Sequence, residues 1–322
     1  MGRVIRVAIS RSLIFVFACF IAGLLAGPTE AEAPADANPA RRLAAMLDQY
    51  RNKEILTIRG ADLIGAYGAS LIPFAEVYVS DSSKLVRWQA CALLWQLGTR
   101  ESEGTPERRK VVELLVRTLD DPEALVWQKA AQWLLSFTEP DFSEPSKQFV
   151  RALLRKYQQE RLPELVLVVG VANMHSELTF LNGLLGGEGS SGRGGGWYGS
   201  KSWAARRARA RMGVREDIQR CIEMVEAEPD KIVRYGTLFD HLQYLRQSQA
   251  VSVLVRYLNR NEPSQYRSPD ASLLPARYLA AAALGQMLRG FPVKKEASLY
   301  HKEDILVCRK WMALQKKWDI IR

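Results

Sequence analysis

The chain has 322 residues, a formal net charge of +10, 48% hydrophobic and 25% charged residues, four cysteines and three histidines. This is a globular composition with ample length for a sizeable core; it excludes a disordered tail, a collagen-like rod and a disulfide-stapled miniprotein. The positive charge is local: residues 193–220 hold eight Arg or Lys against two acids and residues 294–322 hold eight against four, which points to two basic zones rather than a uniform field.

The N-terminus reads as an export signal. Arg3, Arg6 and Arg11 precede an apolar run of 14 residues, Leu13–Ala26, short of the about 20 that span a bilayer. Small residues at Thr29 and Ala31 place a cut near Ala31, which makes 1–31 the signal peptide and 32–38 a disordered linker. The alternatives are a cut at Ala33, an uncleaved anchor, and a lipoprotein cut before Cys19. The expected location is periplasmic or extracellular, membrane-anchored if the signal stays. After cleavage Cys91, Cys221 and Cys308 remain, far apart on predicted helices. That spacing gives no disulfide framework and no metal cluster, and leaves one bridged pair open.

From Pro39 the pattern is helical almost to the end, with no convincing strand run. Pro39–Thr57 is an amphipathic helix through Leu43, Met46, Leu47 and Tyr50. Ala61–Val79 pairs with Ser83–Leu97 across a turn at Ser80–Ser82. In the second of these, Asp81 and two serines supply a cap, Val86, Leu93, Leu94 and Leu97 recur at helical spacing, and Gly98 marks a stop. Pro106, well placed at a first helical position, opens a helix through Val111, Val112, Leu114, Leu115 and Leu119. The turn Asp120-Asp121-Pro122 leads to a helix ending at Phe137. Ser143–Gln159 and Pro163–Met174 give a third pair.

Val86, Val126 and Val166 fall at intervals of 40. That period, built from two helices, is the signature of a solenoid whose units bury their apolar faces on one another. The phrase returns later. Pro229–Arg234 introduces a helix to about Leu245, Ser248–Asn259 is another, and Pro275-Ala276-Arg277 leads through Ala280 to Leu284-Gly285.

These copies resemble the second helix of a HEAT repeat. Asp81…Val86-Arg87…Ala90…Leu97-Gly98, Asp230…Val233-Arg234 and Ala276-Arg277…Ala280…Leu284-Gly285 carry the likeness. The units at Asp121 and Val166 depart from it, with Trp127 and Leu167 where the family usually places arginine. The resemblance covers roughly residues 60–290, interrupted at 175–212. It implies an all-α fold: a right-handed α-solenoid of about five helix pairs with capping helices, second helices lining the concave side. It also implies a structural ladder, carried to Asp81, Arg87, Asp230, Arg234 and Arg277, in which turn aspartate and helix arginine bond between repeats. No catalytic role is carried over.

Residues 183–200 break the pattern with a glycine-rich stretch, dividing repeats at 39–182 from a C-terminal part at 201–322. Such loops are functional or mobile. Trp197, Tyr198 and Trp203 lie at its far end, followed by the basic helix-former Ala204–Arg211. Three readings compete. A phosphate-binding loop fails because Ser200 intervenes before Lys201 and no buried strand precedes. An anion-binding arm would use Trp197, Tyr198, Trp203, Arg206, Arg207, Arg209 and Arg211. The third reading is a tolerated insertion with solvated arginines. The C-terminus, Tyr300–Arg322, reads as a last helix whose apolar face holds Ile305, Trp311 or Met312, Leu314 or Gln315, and Trp318. It is either a cap for the solenoid or a basic amphipathic helix for an anionic membrane or a partner groove.

No catalytic constellation is legible. His175, His241 and His301 are scattered, Ser190 and Ser191 lack a nucleophile-elbow context, and the acid pairs Asp120-Asp121 and Glu303-Asp304 sit at a turn and a helix start. The expectation is therefore a non-catalytic scaffold that binds a protein partner on its concave face, with no cofactor and no metal. The alternative binds an anionic surface or polymer through the basic 201–220 helix and the C-terminal helix. Export disfavours nucleic acid in particular.

Overall fold

A computed structural model describes residues 38–52, 60–157, 160–186, 200–267 and 273–321. The signal segment 1–31, the linker except Asn38, and residues 187–199 with Trp197 and Tyr198 lie outside the described residues. The described chain is all-α apart from one small strand pair. It divides into two units, residues up to Leu97 and residues from Gly98.

In the first unit, α1 (Pro39–Asn52) starts where the Asn38 Oδ1 accepts from the Ala40 amide at 2.9 Å. It buries Leu43, Met46 and Leu47 and packs on α2 (Gly60–Tyr67) and α3 (Ile72–Tyr78). The single helix expected over 61–79 is broken by a 3-10 turn at Gly68–Leu71. Gly68 has φ +52°, a left-handed conformation that costs glycine little. The helix α4 (Lys84–Arg100) begins in this unit.

The stop expected at Gly98 does not occur; α4 runs on to Arg100. In the second unit Gly98 serves close packing instead. A Cβ there would stand 2.8 Å from Val111 Cγ1 and 3.0 Å from Phe137 Cε1, so only a residue without a side chain fits.

The second unit opens with two helix pairs that stack on one another. The first is α5 (Pro106–Thr118) with α6 (Ala124–Leu134). Thr105 caps α5, accepting from the Arg108 amide, and Pro106 stands at its first turn as the sequence predicts. The second pair is α7 (Glu144–Lys156) with α8 (Leu162–Val171). It stacks like on like, α7 against α5 and α8 against α6. Then come α9 (Leu178–Leu185), α10 (Lys201–Arg211) and α11 (Arg215–Ala227). A helical stretch follows: α12 (Lys231–Val233), a π-helical turn Arg234–Leu238, and α13 (Phe239–Leu245). Last are α14 (Ser248–Leu258), α15 (Ala276–Met287) and α16 (Lys302–Leu314). The stacking continues from α8 to α10, α10 to α11 and α13, α11 to α13 and α14, α13 to α15, and α14 and α15 to α16. The most extensive of these contacts, α8 on α10, joins a helix that precedes residues 187–199 to the helix that follows them.

Two expectations are corrected here. Residues 263–267 and 273–275 form strands where none was expected: β1 (Pro263–Arg267) pairs antiparallel with β2 (Leu273–Pro275), and the Ser264 hydroxyl donates to the Leu274 carbonyl at 2.5 Å. The last helix also stops at Leu314, short of Trp318. The chain beyond it runs back beside the end of α15, where the Ile321 amide donates to the Met287 carbonyl and the Arg289 amide to the Asp319 carbonyl, both at 2.9 Å. That pairing satisfies backbone groups left open where α15 ends. Arg289 also reaches Glu103 at 2.8 Å, tying the end of the second unit to its beginning.

Candidate functional site

The basic stretch singled out in the sequence forms α10, started by the Ser200 hydroxyl, which accepts from the Trp203 amide at 3.2 Å. The structure places this helix inside the second unit, against α8, α9, α11 and α13, rather than on its surface. The local sequence explains why. Ala204, Ala205, Ala208 and Ala210 are fully buried, and small side chains let neighbouring helices approach closely on several sides. Gly170 of α8 faces Ala208 so closely that a Cβ would lie 2.7 Å from the Ala208 Cα.

The arginine heads are absorbed by internal partners. Arg206 donates to Asp217 Oδ1 and Arg209 pairs with Asp217 Oδ2, each at 2.9 Å, with Asp217 itself 2% exposed. Burial pushes the Asp217 carboxyl up, and Arg209 and Arg206 offset part of that rise. Arg211 donates to the Tyr244 carbonyl; burial and the nearby Arg246 push its guanidinium down. The guanidinium carbons of Arg207 and Arg211 stand 6.0 and 5.6 Å from the Tyr244 ring centroid. Its hydroxyl donates to the Leu167 carbonyl at 2.7 Å. Glu164 and Asp240 lie within electrostatic reach of Arg207. Loss of water drives the Glu164 carboxyl up and the Asp240 carboxyl to about 6, with Arg207 opposing both.

Trp203, expected at the edge of a mobile arm, is 1% exposed and donates from Nε1 to His241 Nδ1 at 3.2 Å. Burial, with Arg207 nearby, lowers the His241 pKa well below its ordinary value. His241 is thus a neutral acceptor within the core. Cys221 on α11 is buried as a thiol with its pKa pushed up to about 12. Cys91 and Cys308 are likewise buried free thiols. Neither solvated arginines nor a surface clamp describes α10: Arg206, Arg209 and Arg211 tie adjacent helices together. The signal that could have located them was the alanine spacing within the arginine run.

The ladder residues make mostly local bonds. The Asp81 Oδ1 accepts from the Ser83 amide at 2.8 Å and its Oδ2 meets Arg51 of α1 at 2.5 Å. Arg87 donates to the Asp81 and Ser82 carbonyls, at 2.8 and 3.1 Å, so it braces its own turn. Arg234 does the same to the Glu228 carbonyl, at 2.8 Å from Nε, while Asp230 accepts from the Val233 amide at 3.3 Å. Arg277 donates to Asn261. Asp121 repeats the turn of Asp81, accepting from the Glu123 amide at 2.8 Å.

In the second unit, ties between layers come from residues outside the expected ladder. Arg161 donates to the Leu119 carbonyl at 2.6 Å and stacks on Tyr157 and Trp127 at 4.2 and 4.8 Å. Trp127 stands where the resemblance expected an arginine; the cation arrives instead from the next layer. Asp120 accepts from Lys156 and Tyr157 at 2.8 and 2.6 Å. Asp141 accepts from Arg108 Nε, the Gly104 amide and the Thr138 amide, each at 2.8 Å, with no exposure.

The C-terminal basic zone is different. Ile305, Cys308 and Met312 are the buried face of α16, and Arg309 donates to the Leu258 carbonyl at 3.0 and 2.7 Å. The opposite face carries Leu306, Val307, Lys310 and Leu314, all exposed.

Among the described residues no three His, Cys, Asp or Glu side chains gather closely enough to hold a metal ion, and no described helix is long and apolar enough to cross a membrane. No protein-family model matches this chain, and no curated protein matches it in sequence.

Proposed function

We propose that the protein is an exported, non-catalytic scaffold: an α-solenoid of HEAT-like helix pairs that binds a protein partner. The observation that carries this reading is the order of contacts in the second unit, where α5–α6 stacks on α7–α8 like on like and the later helices extend the stack, α8 on α10, α11 on α14 and α13 on α15. Helix pairs assembled this way shelter one another's apolar faces and leave one edge of each layer for recognition. Here α8 is buried along almost its whole length, so the open second-helix edge is that of α6. Leu125, Gln128 and Gln132 are exposed there, at spacings that put them on one face, with Trp133 half-buried beside them. An apolar and amide surface flanking an aromatic suits a protein contact.

The test is affinity purification of the full chain from its native source, with mild cross-linking, beside a Leu125→Glu, Gln128→Glu variant. A protein enriched by the parent and lost by the variant is the expected result. Repeated purifications with nothing enriched above a mock overturn the reading. Export is tested separately, by N-terminal sequencing of the protein recovered after cell fractionation; an intact N-terminus in the cytoplasmic fraction removes it.

A further inference from the structure

We propose that the outward face of α16 docks on an anionic lipid surface. Seven large apolar side chains are notably exposed among the described residues, and four of them, Leu299, Leu306, Val307 and Leu314, fall between residues 299 and 314. Single exposed apolar residues need no explanation, but a cluster does. Leu306 is 54% and Leu314 79% exposed. With Lys310 between them at four-residue spacing, they form one row along the helix, and Val307 stands in the adjacent row. The helix cannot roll to hide this row. Its other side is fixed by buried Ile305, Cys308 and Met312, by the Arg309 bonds to Leu258, and by an edge-on contact of Trp311 with Phe291 at 5.6 Å.

The charge around the row selects the occupant. Lys302, Lys310, Lys316 and Lys317 are exposed. None of the four forms an ion pair among the described residues. The nearby acids are engaged elsewhere: Asp304 takes Lys295 at 2.9 Å and the His301 amide at 2.9 Å, and Asp319 faces Arg289 at 3.5 Å. Among the described residues, Glu303 on the exposed face of α16 and Glu296 ahead of Leu299 remain as counter-charges, two against the four lysines. Lysine stems lying along apolar contact with their heads at lipid phosphates is the arrangement of an interfacial helix. At 13 residues α16 lies in the interface and does not span it. The face differs in part from the one the sequence suggested: Leu314 is on it, while Met312 is buried and Trp311 packs on Phe291. The proposal stands apart from the protein-partner reading, whose test scores an enriched protein and not lipid.

The experiment is co-sedimentation of the full chain with vesicles of phosphatidylcholine alone and of phosphatidylcholine and phosphatidylglycerol in equal parts, at low and high salt. Binding is expected only to the anionic vesicles and should weaken with salt. Each lysine is worth about fivefold near such a surface, so a Lys302→Gln, Lys310→Gln, Lys317→Gln variant should bind on the order of 100-fold more weakly. A Leu306→Gln, Leu314→Gln variant should also lose binding with an unchanged circular dichroism spectrum and melting temperature. No binding to either vesicle, equal binding to both, or variants that bind like the parent overturn the proposal. Sedimentation equilibrium showing self-association that the leucine variant abolishes assigns the face to a second copy, and overturns it too.

Discussion

Replacing Gly170 with alanine tests the packing of the second unit most directly, because two effects of opposite sign meet there. Gly170 lies in α8, where alanine is the better helix former by about 1 kcal/mol. Propensity alone therefore predicts stabilisation. The surroundings predict the reverse. The new Cβ would overlap the Tyr244 hydroxyl and stand 2.7 Å from the Ala208 Cα. The hydroxyl is held by its bond to the Leu167 carbonyl, and the Cα belongs to the backbone of α10, so neither yields cheaply. Overpacking of this kind costs about 1–3 kcal/mol. We expect Gly170→Ala to destabilise by about 2 kcal/mol and to lower Tm by about 4–8 °C for a unit of this size. Urea unfolding at constant m-value measures it. A Gly170→Ala, Tyr244→Phe double variant should show coupling, since removing the hydroxyl relieves one of the two clashes. A neutral or stabilised Gly170→Ala would mean that α8 and α10 do not approach as described, and the account of α10 as an internal helix would fall with it.

Asp141→Ala leaves the buried Arg108 without its carboxylate and should cost about 3–5 kcal/mol, read by denaturant unfolding. Arg161→Ala removes a carbonyl bond and stacking on two rings between layers, and should cost about 1–3 kcal/mol in the same assay. His241 is held neutral, its pKa depressed, so below about pH 6.5 the unfolded chain takes up the proton first and stability falls with pH. The advantage of the parent over His241→Gln should shrink by up to about 1.4 kcal/mol per pH unit below that point. Asp240, raised to about 6, acts in the opposite sense but is present in both proteins; a pH-independent difference would contradict the assignment. Cys91, Cys221 and Cys308 are buried and should react with a thiol reagent only on the timescale of unfolding; rapid labelling of the native chain would contradict their burial.

Local order was legible in the sequence wherever a backbone signal and an apolar period coincided. The Asp81 and Asp121 turns, Thr105-Pro106 before α5 and Ser143 before α7 act within a few residues of themselves, so the one-dimensional pattern contains their cause. The helices α5 to α8 were legible for the same reason: each carries an apolar stripe that has to be covered by something. What the sequence could not settle was which side chains meet. A glycine at the end of an apolar run looks like a helix stop, yet Gly98 is reserved for Val111 and Phe137. Five arginines in ten residues, Arg206 to Arg215, look like a solvated face, yet Asp217, the Tyr244 carbonyl and the Tyr244 ring draw most of those near the start into the interior. The exposed row on α16 was equally hidden, because Ile305–Met312 and Leu306–Leu314 are both apolar and only the packed neighbours decide which faces water. Periodicity fixes how a segment folds; burial belongs to pairs of segments, and the partner of each is known only once the chain has closed on itself.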